Sequence, residues 1–350
     1  MKIVGCDLHT RYQQVAMLDD ETGELVERRL EHESGEARAF YAALTGPVRV
    51  GIEATGHTRW FERMLAEFGH ELWIGDAAQI RAAMVRKQKT DARDAAHVLE
   101  MLVSGRFPRI WRPTMAERDL RQLVWHRQKL VWMRNAIGNQ LHALAMGEGV
   151  CRKKKLFTKK GRVELESLAL DPWASRRRRE LLTMLDQMDA SLKEFDQAVA
   201  EQAEQNAAAV LLMTHPGVGP VTSLAFVLTI GPVERFERSK QVVSYLGLNP
   251  REHSSGGKQR LGAISKQGNP MMRSLLVEAG HTAARLDAEL RQDYQRLKIR
   301  RGSGVAKVAI ARKLAVRMYW MLRSPASYAQ LVRMQGSPGG TLVASKTSLA

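Results

Sequence analysis

Four carboxylates within the first hundred residues carry the pattern richest in chemistry. Asp7 follows the apolar run Ile3-Val4-Gly5-Cys6, and Glu53 follows a second one, Val48-Arg49-Val50-Gly51-Ile52. A carboxylate at such a strand end is costly to bury without a partner or a metal ion. Asp91 and Asp94 stand three apart in Lys89-Thr90-Asp91-Ala92-Arg93-Asp94, so on a helix they share one face. Two strand ends and one helix face brought together would make a site of strongly negative potential. Hard cations stabilise such a site, Mg²⁺ being the usual one and Mn²⁺ an alternative. Two ions about 4 Å apart would clamp the attacking and leaving oxygens of a phosphodiester. Each acid also has a plainer role open to it. Asp7 could face a turn, Glu53 could cap the next helix, and Asp91 and Asp94 suit the first turn of a helix, where the macrodipole favours acids.

The elements that must position these acids can be read from periodicity. Residues 3–8, 12–18 and 25–31 read as strands, with Asp19-Asp20-Glu21-Thr22-Gly23 as the polar turn between the second and third. A helix is expected near 36–44, a strand at 48–53, a helix at 58–68 closed by Gly69, a strand at 72–74 and a helix at 90–103. Three hairpin-linked strands followed by strand–helix alternation is the order of an RNase H-like mixed sheet. Residues 115–210 read as wholly helical: Leu120, Leu123, Val124, Leu130 and Val131 recur at helical spacing, as do Leu181, Leu182, Leu185, Met188 and Leu192. Two long helices linked by a basic stretch imply an antiparallel or intermolecular coiled coil, or a simple helical spacer. In a third region, His215-Pro216-Gly217-Val218-Gly219-Pro220 has the form of the hairpin in a helix–hairpin–helix motif, where Gly217 and Gly219 would let backbone amides approach a phosphate. The domains expected are 1–110, 111–210 and 211–325, with a mobile tail at 326–350. The fold class is α/β plus all-α.

Charge narrows the choice of partner. The chain has 350 residues, 54 Lys and Arg against 37 Asp and Glu, and a net charge of +17. Residues 151–180 hold 11 basic and 4 acidic side chains, and residues 291–323 hold 10 and 1, so nearly all the excess sits in two segments. The runs Arg152-Lys153-Lys154-Lys155 and Arg176-Arg177-Arg178-Arg179 are too dense for alternating ion pairs and point to a polyanion, most simply nucleic acid. Neither run adjoins a strongly apolar amphipathic face, which disfavours a membrane surface. No stretch approaches the roughly 18 unbroken apolar residues of a membrane span. The opening Met1–Thr10 reads as a strand and not as a signal peptide. Cys6 and Cys151 are the two cysteines, which excludes a disulfide framework and a Cys-rich zinc site. A cytoplasmic, nucleoid-associated protein is expected.

Other residues carry less. The ten histidines offer no i, i+4 pair suited to zinc. His9 follows Asp7 closely enough to lie near it, and His253 stands near a serine pair, Ser254-Ser255. The seven tryptophans, including Trp60, Trp125, Trp132 and Trp320, fall at apolar positions, and core packing is expected of them in preference to base stacking. Ser254-Ser255-Gly256-Gly257 reads as a flexible loop. Lys258, Arg260 and Lys266 suit either phosphate contact or solvent.

Taken in order, these motifs resemble those of one family. Gly5-Cys6-Asp7-Leu8-His9 (in place of the family's usual Gly-Ile-Asp opening), Gly51-Ile52-Glu53-Ala54-Thr55-Gly56 and Lys89-Thr90-Asp91-Ala92-Arg93-Asp94-Ala95 come first. Pro216-Gly217-Val218-Gly219, Leu246-Gly247-Leu248-Asn249-Pro250-Arg251, Ser254-Ser255-Gly256-Gly257-Lys258, Ile264-Ser265-Lys266-Gln267-Gly268-Asn269 and Ala311-Arg312-Lys313-Leu314-Ala315 follow. The chain resembles the DEDD-type insertion-sequence transposases described as bridge-RNA-guided DNA recombinases, over nearly all its length short of the tail. The resemblance implies a RuvC-like N-terminal domain, a coiled-coil insertion and a C-terminal transposase domain. It implies that Asp7, Glu53, Asp91 and Asp94 hold divalent metal. It implies a serine nucleophile that joins covalently to DNA, matched in position by Ser255, with Ser254 the alternative. It also implies dimers that pair into tetramers, an active site shared between subunits, and a guide non-coding RNA from the element that selects donor and target DNA.

Two other functions fit parts of the pattern. A hydrolytic RuvC-like nuclease, such as a junction resolvase, would use the same carboxylates with water as nucleophile. A nucleic-acid-binding module with a defunct metal site would keep the basic segments alone.

Overall fold

The computed structural model describes residues 1–84, 90–152, 154–255 and 260–336. The chain forms two compact units, residues 1–112 and residues 113 onward.

The first unit is built on β1 (Lys2–Leu8), β2 (Tyr12–Asp19), β3 (Leu25–Glu31), α1 (Glu36–Ala43), β4 (Val48–Glu53), α2 (Arg59–Glu67), β5 (Glu71–Gly75), α3 (Ala77–Ala82) and α4 (Asp91–Val103). The five strands make one mixed sheet in the order β3-β2-β1-β4-β5. β2 runs antiparallel to both its neighbours, whereas β1, β4 and β5 are parallel. Each expected strand is present; the short helix α3, capped by Asp76 on the Gln79 amide at 2.9 Å, was not expected.

Alternation along the strands divides the core in two. Val4 and Cys6 of β1 and Val50 and Ile52 of β4 pack with Tyr41 of α1 and Phe61 and Leu65 of α2 on one face. Ile3 and the residues of α4 (Ala95, Val98, Leu99 and Leu102) make the core of the other. Gly5 and Gly51 lie opposite each other in the β1–β4 register, under α4. A Cβ on Gly5 would sit 2.9 Å from the Leu99 Cα and closer still to the Ala95 carbonyl oxygen; one on Gly51 would sit 2.6 Å from a Leu102 methyl. The two glycines therefore let α4 lie close on the sheet. Asp7 and Glu53 each follow one of these glycines by two residues, and so stand on the same face.

The second unit begins with α5 (Met115–Gly147), opened by a capping box between Thr114 and Glu117, then α6 (Lys159–Glu166) and α7 (Pro172–Glu204). The pairs Arg127–Asp196, Arg134–Asp189 and Arg177–Gln140 show α5 and α7 running antiparallel along one another within the chain. Ile137, Leu141 and Ala145 of α5 meet Leu181, Leu182 and Leu185 of α7. The two long helices expected within 115–210 are present; Gly149 at φ 77° follows the first, and the second ends at Glu204, where Asn206 caps a separate α8 (Ala207–Met213).

Beyond these lie α9 (Pro220–Ile230), α10 (Ser239–Tyr245), β6 (Pro250–Glu252), β7 (Leu261–Ile264), α11 (Pro270–Leu286), α12 (Ala288–Arg323, broken at Gly302 with φ 83°) and α13 (Tyr328–Gly336). α9 is apolar all round, and its neighbours bury it accordingly, Leu224, Phe226 and Ile230 being fully enclosed. β6 and β7 pair as a separate antiparallel hairpin.

Candidate functional site

The close seating of α4 on Gly5 brings its first turn to the end of β1. Thr90 caps the helix by accepting from the Arg93 amide. Ligand atoms of Asp7, His9 and Asp91 lie within 4.8 Å of one another. The His9 Nε2 is 3.1 Å from Asp7 Oδ2 and 3.5 Å from Asp91 Oδ2. Tyr12, on the next strand, donates its hydroxyl to Asp91 Oδ2 at 2.8 Å, and the Arg29 guanidinium lies 3.7 Å above the Tyr12 ring. Asp94 is half buried one helical turn beyond Asp91.

Burial holds the Asp7 carboxyl above its ordinary value; His9 pulls it down, while Asp94 and Asp91 push it up. The hydrogen bond to Asp91 raises the Tyr12 hydroxyl above its own usual value. Among the described residues, no Lys or Arg pairs with Asp7 or Asp91, and His9 is the single basic group touching both. Carboxylate oxygens gathered with so little positive charge are the donor set of a hard divalent cation. Asp7, Asp91 and Asp94 are thus brought together. Glu53 holds the next register position on β4, at the same end of the sheet, but falls outside the cluster; its carboxylate is 3.8 Å from the Arg81 guanidinium.

In the second unit, Ser255 lies beyond β6 and is exposed. The neighbouring Ser254 donates its hydroxyl to Glu252 Oε1 at 2.6 Å and accepts from the Arg260 amide at 3.0 Å, which ties it to the neck of the hairpin. Among the described residues the Ser255 hydroxyl has no such tie. Arg260 and Lys266 are exposed, Lys266 in the left-handed region at φ 58°. Gly256, Gly257 and Lys258 lie outside the described residues, as does Lys153.

The basic runs divide. Arg152 is held at both ends by Glu164, at 2.8 and 2.9 Å, while Lys154 and Lys155 are exposed. Arg178 is buried and donates to the Leu165 and Leu168 carbonyls, so it fastens α7 to the segment before it. Arg176, Arg177 and Arg179 remain on the surface, Arg176 beside Glu180 and Arg177 donating to Gln140. Gly217 has φ 86°, and a Cβ there would meet the α11 backbone at Ala279 and Ala283, so its lack of a side chain serves packing. Gly219, exposed, opens α9. Tryptophan burial departs from expectation: Trp60, Trp125 and Trp132 are substantially exposed, and Trp173 is 78% exposed at the start of α7. The apolar positions read from helical spacing lay on the outer faces of these helices.

Nothing in the sequence pointed to Tyr12, which reaches Asp91 only once α4 packs on the sheet, or to Arg29, which β2–β3 pairing brings over the Tyr12 ring.

Two family models match in chain order. One, of DEDD-type IS110 transposases and described as transposase, covers residues 4–147; the other, described as the transposase IS116/IS110/IS902 family, covers residues 209–295. Together they take in about two thirds of the chain.

The chain belongs to the IS110/IS116 transposase family.

It is 27% identical to the transposase for insertion sequence element IS1111A of Coxiella burnetii, over 94% of this chain and 91% of that one. It is 26% identical to the transposase for insertion sequence element IS1328 of Yersinia enterocolitica, over 81% and 85%. A pilin gene-inverting protein of Moraxella bovis is 26% identical over 66% of each chain. The protein is thus a DNA transposase of the DEDD type, a class that depends on divalent metal, and the carboxylates around Asp7 fit such an ion. Among the described residues no helix of this transposase is long and apolar enough to cross a membrane.

Proposed function

We propose that this transposase cuts and rejoins DNA through a covalent serine–phosphodiester link, with Ser255 as nucleophile and with Asp7, Glu53, Asp91 and Asp94 holding Mg²⁺. The observation that carries the reading is the clustering of Asp7, His9 and Asp91 beside Asp94 at one sheet end. A divalent cation bound there would offset the negative charge that builds on the phosphodiester. The protein's own groups orient the site. Tyr12 fixes the rotamer of Asp91 by its hydrogen bond, and His9 does the same for Asp7. Glu53 joins the set by leaving its long, exposed contact with Arg81.

In the chemical step the Ser255 oxygen forms a bond to phosphorus as one ester P–O bond of the DNA breaks. The serine proton leaves to a base, and the released deoxyribose oxygen takes up a proton. Attack by a hydroxyl from another strand then reverses the link and frees the serine. The tie between Ser254 and Glu252 supports Ser255 as nucleophile, since Ser254 is already engaged as donor and acceptor. The gene-inverting relative supports rejoining over simple hydrolysis, because inversion requires that broken strands be resealed.

The sheet order and the position of its acids support a RuvC-like, RNase H-type domain, and the paired α5 and α7 a coiled-coil segment. Exposed Lys154, Lys155, Arg176, Arg177 and Arg179 support binding of a second polyanion, which we assign to a guide non-coding RNA from the element. The family resemblance supports dimers pairing into tetramers, with acids from one subunit and serine from another, in a nucleoid-associated cytoplasmic protein.

The test is Ser255→Ala. It is expected to abolish strand exchange and covalent protein–DNA adducts while leaving DNA binding within about twofold. A variant that still exchanges strands would sink the serine role, and one that still cleaves in a metal-dependent way without adducts would favour the hydrolytic nuclease. RNA copurified from cells carrying the native flanks should contain one discrete transcript from the element, and a background of unrelated RNA would count against guidance.

A further inference from the structure

α11 and the first half of α12, joined at Asp287, line an open concavity of about 350 Å³. His281 and Arg285 line it from α11, and Arg291, Tyr294, Gln295 and Lys298 line it from α12. Three are permanent cations, and no carboxylate is among the lining residues. Arg291, Gln295 and Lys298 recur at i, i+4 and i+7, so one face of α12 supplies that wall. Arg291 also donates to the Arg285 carbonyl, which anchors it at the rim.

The acids of this region are engaged elsewhere. Asp287 binds Arg317 and Tyr328, Glu289 binds Arg317, and Asp293 binds Arg296 and Lys313. Among the described residues none pairs with Arg285, Arg291 or Lys298. Three like charges facing one concavity repel each other, and an anion relieves that cost. The small side chain of Ala284 leaves room between the helices, and Tyr294 and Gln295 bring hydrogen-bonding groups to the same wall. Exposed Arg301 continues the basic face toward the break at Gly302. An extended, multiply charged anion matches a concavity that runs out into a basic face better than a single free ion does.

We propose that this concavity seats the phosphate backbone of DNA, as a subsite apart from the serine hairpin and from the α6–α7 arginines. The proposal rests on DNA being the substrate, which the family establishes, and not on the serine step.

The experiment measures equilibrium binding of duplex DNA to the full-length protein across a salt series, with metal chelated so that no strand chemistry intervenes. The triple variant Arg285→Gln, Arg291→Gln, Lys298→Gln is expected to bind about tenfold or more weakly at low salt. Its plot of log affinity against log salt should flatten by about 2 to 3, at roughly 0.9 for each phosphate that is no longer neutralised. Arg285→Lys with Arg291→Lys keeps the charge and is expected to keep the slope. Lys129→Gln with Lys193→Gln removes two exposed charges elsewhere in the same unit and should move the slope far less. A triple variant with unchanged slope would overturn the proposal. So would a lysine variant whose slope falls as far as that of the triple, because structure and not charge would then be at stake. A triple variant altered toward duplex RNA but not toward DNA would overturn the assignment to DNA.

Discussion

Two clusters in this transposase are built from nearly the same side chains and behave in opposite ways. In the first unit, Asp7 and Asp91 meet His9 and Tyr12 at an open sheet end. In the second, Asp287 meets His215, Tyr328 and Arg317 in the interior. The difference is the set of donors. Against the opposing effect of burial, the Leu290 amide and the Tyr328 hydroxyl donate to Asp287 and Arg317 lies beside it, and its carboxyl is held below its ordinary value. Asp7 is raised, by burial above all, with His9 as its one basic contact among the described residues. The interior cluster is complete and ties the start of α12 to its own later turns and to α13. Among the described residues, the open pair Asp7 and Asp91 meets no Lys or Arg, as suits a cation site.

The contrast can be broken most forcefully at Arg317. Arg317→Met strands Asp287 and is expected to cost about 3–5 kcal/mol of stability in the second unit, measured by denaturant titration. Adding Asp287→Asn should recover part of the loss. A neutral Arg317→Met would mean that the interior cluster is not the balanced structure described.

Acid acts on the same cluster. His215 is buried, its Nδ1–H donates to the Pro216 carbonyl and its Nε2 faces Arg317, so burial above all holds its imidazolium form down, to a pKa of about 4. An unfolded histidine titrates near 6.5, so between these values the unfolded chain binds the extra proton. Stability from this group is therefore complete above pH 6.5 and is lost as pH falls toward 4, to the extent of about 3 kcal/mol. Asp287, also depressed, adds a loss at lower pH still. His215→Gln should flatten the stability profile between pH 6.5 and 4; an unchanged profile would remove His215 from the account.

At the open cluster the expected effects are smaller. Tyr12→Phe removes the hydrogen bond that orients Asp91 and should weaken Mn²⁺ binding about tenfold, read by titration of the ion. Asp7→Asn relieves repulsion from Asp91 and Asp94. In the absence of metal it should raise stability by about 1 kcal/mol while abolishing strand transfer. Destabilisation of the metal-free protein by Asp7→Asn would erase the contrast between the two clusters.

What sequence could reveal followed the range of the interaction. The strands of the mixed sheet and α4 were legible, because alternation, turn residues and the Thr90 cap act within a few positions. The acids were legible as a set from their strand ends and their spacing on a helix. Tyr12 was not, because it reaches Asp91 across 79 positions, through a contact made only when α4 packs on the sheet. Arg317 likewise lies 102 positions from His215. Arg178 sat in a run of four arginines with nothing local to show that it alone turns inward. The exposed tryptophans were misjudged because helical spacing identifies an apolar stripe without telling whether anything covers it.

The glycine pair beneath α4 has a consequence for how this transposase tolerates change. Gly5 and Gly51 bind nothing, yet a single methyl group at Gly5 would run into the α4 backbone at Ala95 and Leu99, wedge the helix off the sheet and carry Asp91 and Asp94 away from Asp7, whereas one at Gly51 would press only on the Leu102 side chain. The Gly5 variant would keep every acid and still fail as a catalyst. In a natural collection of inactive copies, a mutation at Gly5 would therefore leave an element that scans as intact and no longer moves.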